Sequence, residues 1–293
     1  MRDAPDGSDP QRLVALVDYI GGDYGGAVGP DGVVLDAGEY DEQVRFGADI
    51  RTIARGLLPQ ADETDPLLAR LAEIERLVHA KDKAEVVAHA CRAARDEAVA
   101  RFRIPTMPAG RPSLERAREL YVQGCAECHG PKGDGDTARA RTLDPAPARF
   151  KDPARLGDLS PYRVYNALTF GVPGTAMASF DALPAADRWS LAFYVFHLGH
   201  EGETGTGPVA MTLADLASRT DREVLSVLRQ EAHPSPERGL VHARREAAFA
   251  EPPTGVGVDR TRSMLRQAVT AYEKGRAHEA DRLVIDAYLQ GFE

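Results

Sequence analysis

The chain has 293 residues, a formal net charge of −9 and three cysteines. Its length predicts two or three domains, and the acidic balance argues against a nucleic-acid partner. No run of about eighteen apolar residues occurs, so the sequence predicts no membrane-inserted helix.

Alanine, leucine, arginine and glutamate are abundant, which favours helices. Residues 11–21 read as the first, with Leu13, Val14, Leu16, Val17 and Ile20 on one broad stripe, and Gly21-Gly22 ends it. Pro30-Asp31-Gly32 between short apolar runs predicts a tight turn within 27–35. Asp36 and Glu39 have the spacing of a capping box, opening a helix to about Leu58. Thr64-Asp65-Pro66 starts another helical stretch that extends to about Phe102, broken near Lys81-Asp82-Lys83. Cys91 reads as a small buried hydrophobe and His89 as a core histidine. Residues 104–112, with three prolines, read as a linker.

Ser113 caps a helix from Leu114 towards Gly124, on which Ala117, Tyr121 and Cys125 share a face. Ser160-Pro161 opens a short helix that stops at Gly171. An irregular loop, 171–180, carries Met177, and residues 187–198 form an apolar helix expected to pack on 114–124. His197 and His200 close that helix, where a surface role at its negative end is expected. Beyond a second linker, 202–210, come short helical pieces at 212–217 and 221–228 and an α-hairpin of 259–274 and 277–290.

The chemistry centres on Cys125-Ala126-Glu127-Cys128-His129. C-x-x-C-H is the attachment signature of a c-type haem: two thiols three positions apart reach one porphyrin edge, and the following histidine supplies the proximal nitrogen. A zinc site would need a second ligand pair, which the lone Cys91 does not supply. The remaining alternative is a bare redox dithiol.

On these residues the stretch 112–200 resembles a class I monohaem cytochrome c. The resemblance implies one covalent haem c, attached at Cys125 and Cys128, with His129 and Met177 as axial ligands. It also implies that the carbonyl of a proline, Pro145 or Pro147, accepts a hydrogen bond from the proximal histidine. The family often has proline after the axial methionine, where this chain has Ala178; Met107, on the linker, is the rival methionine. Arg149 and Lys151 are candidate partners for the haem propionates or plain surface cations.

Leu16-Val17-Asp18-Tyr19-Ile20, Asp23-Tyr24, Glu39-Tyr40 and the closing Ala287–Glu293 stretch resemble the soluble periplasmic region of bacterial cytochrome c–iron permease fusions. That resemblance implies a downstream membrane iron permease region, ferrous and ferric iron as partners, and an electron-accepting, ferroxidase-linked role. Asp18, Tyr19, Asp23, Tyr24, Glu39, Glu42 and Glu293 are candidates for a second iron ion, since hard ferric iron prefers oxygen ligands. The alternative is a generic electron shuttle or haem subunit for an unrelated dehydrogenase or oxidase, with a redox partner protein. Met1-Arg2-Asp3-Ala4 leads straight into polar residues, without an export signal. Haem c implies a periplasmic home, so a trimmed mature chain is expected.

The expected fold is all-α: a helical bundle with an inserted class I cytochrome c domain. The expected divisions are 1–103 helical, 104–112 linker, 113–201 cytochrome, 202–210 linker and 211–293 helical, the last packing with 1–103 as one bundle.

Overall fold

The computed structural model describes residues 10–207, 209–250, 256–273 and 276–291. They fall into two compact units, Met1–Phe249 and Ala250–Glu293. All regular elements among the described residues are helical, as expected; the one β-type pairing is an isolated bridge between Val28 and Val34.

Four helices open the first unit: α1 (Pro10–Ala27), α2 (Ala37–Leu57), α3 (Pro66–His79) and α4 (Ala84–Phe102). They pack as a ring, α1 on α2 and α4, α3 on the same two. Leu13, Ile20, Ile50, Leu71, Ile74 and Val87 are wholly buried between them, so each helix turns its apolar stripe inward. Asp36 caps α2, accepting from Gly38 N (2.8 Å) and Glu39 N (3.0 Å). The reciprocal half of the capping box is missing, because the Asp36 amide turns back to Ala27 O at 3.5 Å. Asp65 caps α3 and also pairs with Arg101 of α4 at 2.8 Å.

One expectation fails in α1. The helix runs through Gly21-Gly22 and ends at Ala27. Here the glycines serve close approach. A Cβ on Gly21 would lie 2.9 Å from Cys91 Cβ of α4, and one on Gly22 would lie 2.3 Å from the Arg163 guanidinium. Lost helix propensity is offset by packing the glycine side of α1 against two neighbours. Cys91 is buried as expected, whereas His89 is exposed on the outside of α4.

The middle of the chain supplies α5 (Leu114–Gly124), α6 (Ala126–His129), α7 (Pro153–Gly157), α8 (Pro161–Phe170) and α9 (Ala185–Gly199). The caps are those expected: Ser113 accepts from Arg116 N and Ser160 from Arg163 N, each at 3.3 Å. Helix α5 packs on α9 with Ala117 and Tyr121 buried at the contact. Helix α9 is apolar on nearly every side because it is covered on nearly every side: by α5, by α8 and by a π-helical turn at Ala243–Ala247. Trp189 stacks on Tyr165 of α8 with ring centroids 4.3 Å apart.

Helices α10 (Leu213–Ser218), α11 (Asp221–Gln230) and α12 (Pro236–His242) follow. They depart from the expected common bundle with 1–103: α10 packs on α8, α11 on α7, and the π-turn after α12 on α9. A buried polar cluster accounts for this. Arg244 is 0% exposed; it donates to Asp221 Oδ1, Leu216 O and Arg219 O, all at 2.7 Å, and lies over the Phe196 ring. His200 Nε2 meets Asp221 Oδ2 at 2.9 Å. His200 is therefore buried and paired rather than a surface group. His197 is half-buried, stacked on Tyr194.

In the second unit α13 (Val256–Glu273) and α14 (Ala277–Gly291) form the expected α-hairpin. Ala268, Ala271, Ala280 and Ala287 are buried in it.

Candidate functional site

The end of α5 and the single turn of α6 bring Cys125, Cys128 and His129 to one wall of a large cavity. The cavity measures about 790 Å³, within the roughly 300–1,000 Å³ of small-molecule and cofactor sites. Met177 lines it too, together with Leu16, Leu143, Leu168, Phe180, Leu191 and Val195. Met107, on the linker and 39% exposed, lies outside it.

His129 is held from two directions. Its ring stacks on Phe150 at 4.7 Å with 17° between the planes. Its Nδ1 lies 2.9 Å from Ala148 O. The acceptor is thus neither Pro145 nor Pro147 but the next carbonyl, although both prolines line the cavity beside it. With Nδ1–H donating to Ala148, Nε2 carries the lone pair. Burial holds the imidazole below its ordinary value, outweighing the opposite effect of that hydrogen bond, so it is neutral near pH 7. A neutral imidazole with one nitrogen tied to a carbonyl has the form of a metal ligand.

The segment after the motif folds back to make this possible. His129 O accepts from Gly135 N at 2.8 Å, and Phe150 N donates to Gly133 O at 2.7 Å. Tyr121 OH donates to Gly130 O at 2.8 Å, tying α5 to the same turn.

The methionine loop is built as firmly. Val172 N donates to Met177 O at 3.0 Å, Met177 N to Thr175 Oγ1 at 3.0 Å, and Phe180 N to Leu168 O at 2.7 Å. Gly171 has φ 74°, and a Cβ there would sit 2.8 Å from Met177 O. Glycine is required at that position. These bonds do the stiffening that a proline after Met177 would otherwise do.

Cys125 lacks the character of a reactive thiol. Burial, then the neighbouring Cys128, pushes the Cys125 thiol up to about 11. Reactive C-x-x-C pairs instead hold one thiol below its free value.

Helix α1 and the start of α2 also contribute to the lining. Arg12, Asp18, Tyr19, Asp23 and Glu39 all line the cavity. Glu42 reaches the methionine loop, its Oε1 3.0 Å from where a Gly174 Cβ would lie. Tyr24 is buried away from the cavity lining, and Glu293 lies outside the described residues. Asp18 is paired with Arg95 at 3.2 Å. Among the described residues, no three His, Cys, Asp or Glu side chains are grouped to hold a metal ion.

Arg149 and Lys151 do not line the cavity; the Lys151 ammonium instead reaches Glu201 O at 3.1 Å and its carboxylate at 3.8 Å. The cations that do line it are Arg12, Arg155 and Arg163. Sequence reading missed them because nothing in residues 11–21 marks Arg12 as a neighbour of a motif more than a hundred positions away.

The residues present fit a haem. The cavity has two thiols, a neutral imidazole and a thioether on a mostly apolar lining that also carries Arg12, Arg155 and Arg163. No helix among the described residues is long and apolar enough to cross a membrane. No curated protein and no solved structure matches the chain. Residues 112–195 match the family model described as cytochrome C oxidase, cbb3-type, subunit III, which supports a class I cytochrome c domain in that stretch and implies covalently bound haem c.

Proposed function

We propose that this chain is an extracytoplasmic electron-transfer protein carrying one haem c, with thioether bonds to Cys125 and Cys128 and axial ligation by His129 and Met177. The observation that carries this reading is that all four side chains border one cavity, with His129 oriented through Nδ1 by Ala148 O. When bound, the haem supplies one-electron oxidation and reduction at a potential raised by His/Met ligation. The chain's own residues fix the imidazole, keep the Cys125 thiol protonated until attachment, and exclude water with leucine, valine and phenylalanine.

The electron source in this reading is ferrous iron, during oxidation-coupled uptake with a membrane permease region fused downstream. Support comes from the oxygen-bearing side chains of Tyr19, Asp23 and Glu39, which line the same cavity as the attachment motif. A second reading, a haem subunit serving an oxidase or dehydrogenase, is favoured by the family match, whose description is that of an oxidase subunit. Mixing the oxidised holoprotein with ferrous iron under anaerobic conditions separates them. Stoichiometric haem reduction that saturates with iron is expected of the uptake role; a haem indifferent to iron but reduced by a small electron-carrier protein would leave only the second.

A further inference from the structure

We propose that Arg12, Arg155 and Arg163 together bind the propionate groups of the haem, which makes α1 of the N-terminal bundle part of the cofactor site. The proposal rests on the haem reading above and adds a residue from far outside the segment that matches a cytochrome family, 112–195.

Arg12 carries the argument. It is half-buried, lines the cavity that holds the C-x-x-C-H motif and Met177, and forms no ion pair among the described residues. Withdrawing a guanidinium from water without a counter-charge is costly, so such a group marks a place for an anion. Arg155 and Arg163 line the same cavity and share one carboxylate, Asp23, at 3.7 and 3.9 Å. Two guanidinium groups loosely held by one carboxylate keep most of their donors for another acceptor. Arg163 also donates to Asp158 O at 3.1 Å, which fixes its direction.

Two of the other acids of the lining are engaged elsewhere. Asp18 pairs with Arg95, and Asp36 accepts from the first amides of α2; Glu39 sits in the first turn of α2, against the positive end of that helix. The Arg163 guanidinium also lies close against α1 at Gly22, where a Cβ would stand 2.3 Å from it and would have to displace it. Guanidinium forks match carboxylates in geometry as well as in charge. A propionate pair is the dianionic group that a haem brings to such a wall. The consequence is that the bundle helps to set the haem's potential: a cation beside a propionate offsets its negative charge and favours the ferrous state.

The test is the ferric-to-ferrous ratio of the holoprotein, poised at the wild-type midpoint in a spectroelectrochemical cell at pH 7, for Arg12→Leu, Arg12→Lys, Arg163→Lys and Arg149→Leu. Arg12→Leu is expected to raise the ratio by about 3–10-fold. Arg12→Lys and Arg163→Lys should retain most of the wild-type value, and Arg149→Leu should match wild type. Coloured, covalently loaded Arg12→Leu protein with an unchanged ratio would overturn the proposal while leaving the haem reading intact. Equal shifts in Arg12→Leu and Arg12→Lys would also overturn it, since charge would then not be the cause. A colourless wild-type protein would remove the haem reading, and this inference with it.

Discussion

Nδ1 of His129 lies 2.9 Å from the carbonyl oxygen of Ala148, nineteen positions later in the chain. One hydrogen bond therefore links the attachment motif to the far end of the loop that follows it and fixes which imidazole nitrogen faces the cavity. Phe150, two residues beyond Ala148, closes over the same ring.

Phe150→Ala should accordingly do more than open a hole. The side chain is buried and stacks on His129. Its loss is expected to cost about 3–5 kcal/mol of stability, read from urea unfolding of the holoprotein. It should also broaden the haem spectrum as the imidazole gains freedom. A loss below about 1 kcal/mol would mean that Phe150 is not a structural support of the site.

Cys91 offers a test of the bundle core. Burial, reinforced by Asp18, pushes its thiol up to about 12. The native protein should resist alkylation at pH 8 at this position, and labelling should appear only on unfolding. Mass spectrometry of the peptide containing Cys91 checks it; rapid labelling of the folded protein would place Cys91 outside the α1–α4 contact.

Gly21 tests the same contact from the other side. Gly21→Val sets a side chain where a Cβ alone already falls 2.9 Å from Cys91 Cβ. Overpacking of this kind costs about 1–3 kcal/mol, despite valine's better helix propensity. A shift of the urea midpoint to higher concentration would contradict it.

Asp221 governs acid stability. Burial acts to raise its pKa, but Arg244 and His200 together outweigh that and hold it below the ordinary 3.8. A carboxylate depressed in the folded state contributes stability that is fully present above its unfolded value. That contribution is lost as pH falls from near 4 through the lower folded value. Asp221→Asn should therefore remove part of the decline in stability below pH 4. Asp221→Ala should cost about 3–5 kcal/mol at pH 7 because Arg244 stays buried without its partner. Urea titrations at pH 7, 5, 4 and 3 read both effects; identical pH profiles for wild type and Asp221→Asn would remove Asp221 as the source.

The helical order of the chain, the caps at Asp36, Asp65, Ser113 and Ser160, and the attachment motif could be read directly from residue types and spacing, because each is a local signal. Long-range features were not readable. The sequence ends α1 too early because Gly21 and Gly22 act through Cys91 and Arg163, partners that periodicity does not reveal. His200 passed for a surface group because its carboxylate, Asp221, lies on a later helix. The packing of α10 to α12 onto the cytochrome helices follows from one fully buried arginine, Arg244, which composition cannot distinguish from exposed ones. Pro145 and Pro147 were plausible acceptors for His129, yet a single-residue offset decides the hydrogen bond, and that offset is a property of the whole loop.

The central claim is a covalent haem with a nitrogen ligand on one face and a methionine sulfur on the other. The most direct measurement is the visible spectrum of the protein matured in a cytochrome-assembling host, compared with that of Met177→Ala, each followed by denaturation and intact mass. Wild type should be red, low-spin and heavier by one haem that denaturant does not release; Met177→Ala should keep the haem and lose the low-spin spectrum. A colourless wild type, or a Met177→Ala spectrum indistinguishable from it, would contradict the account.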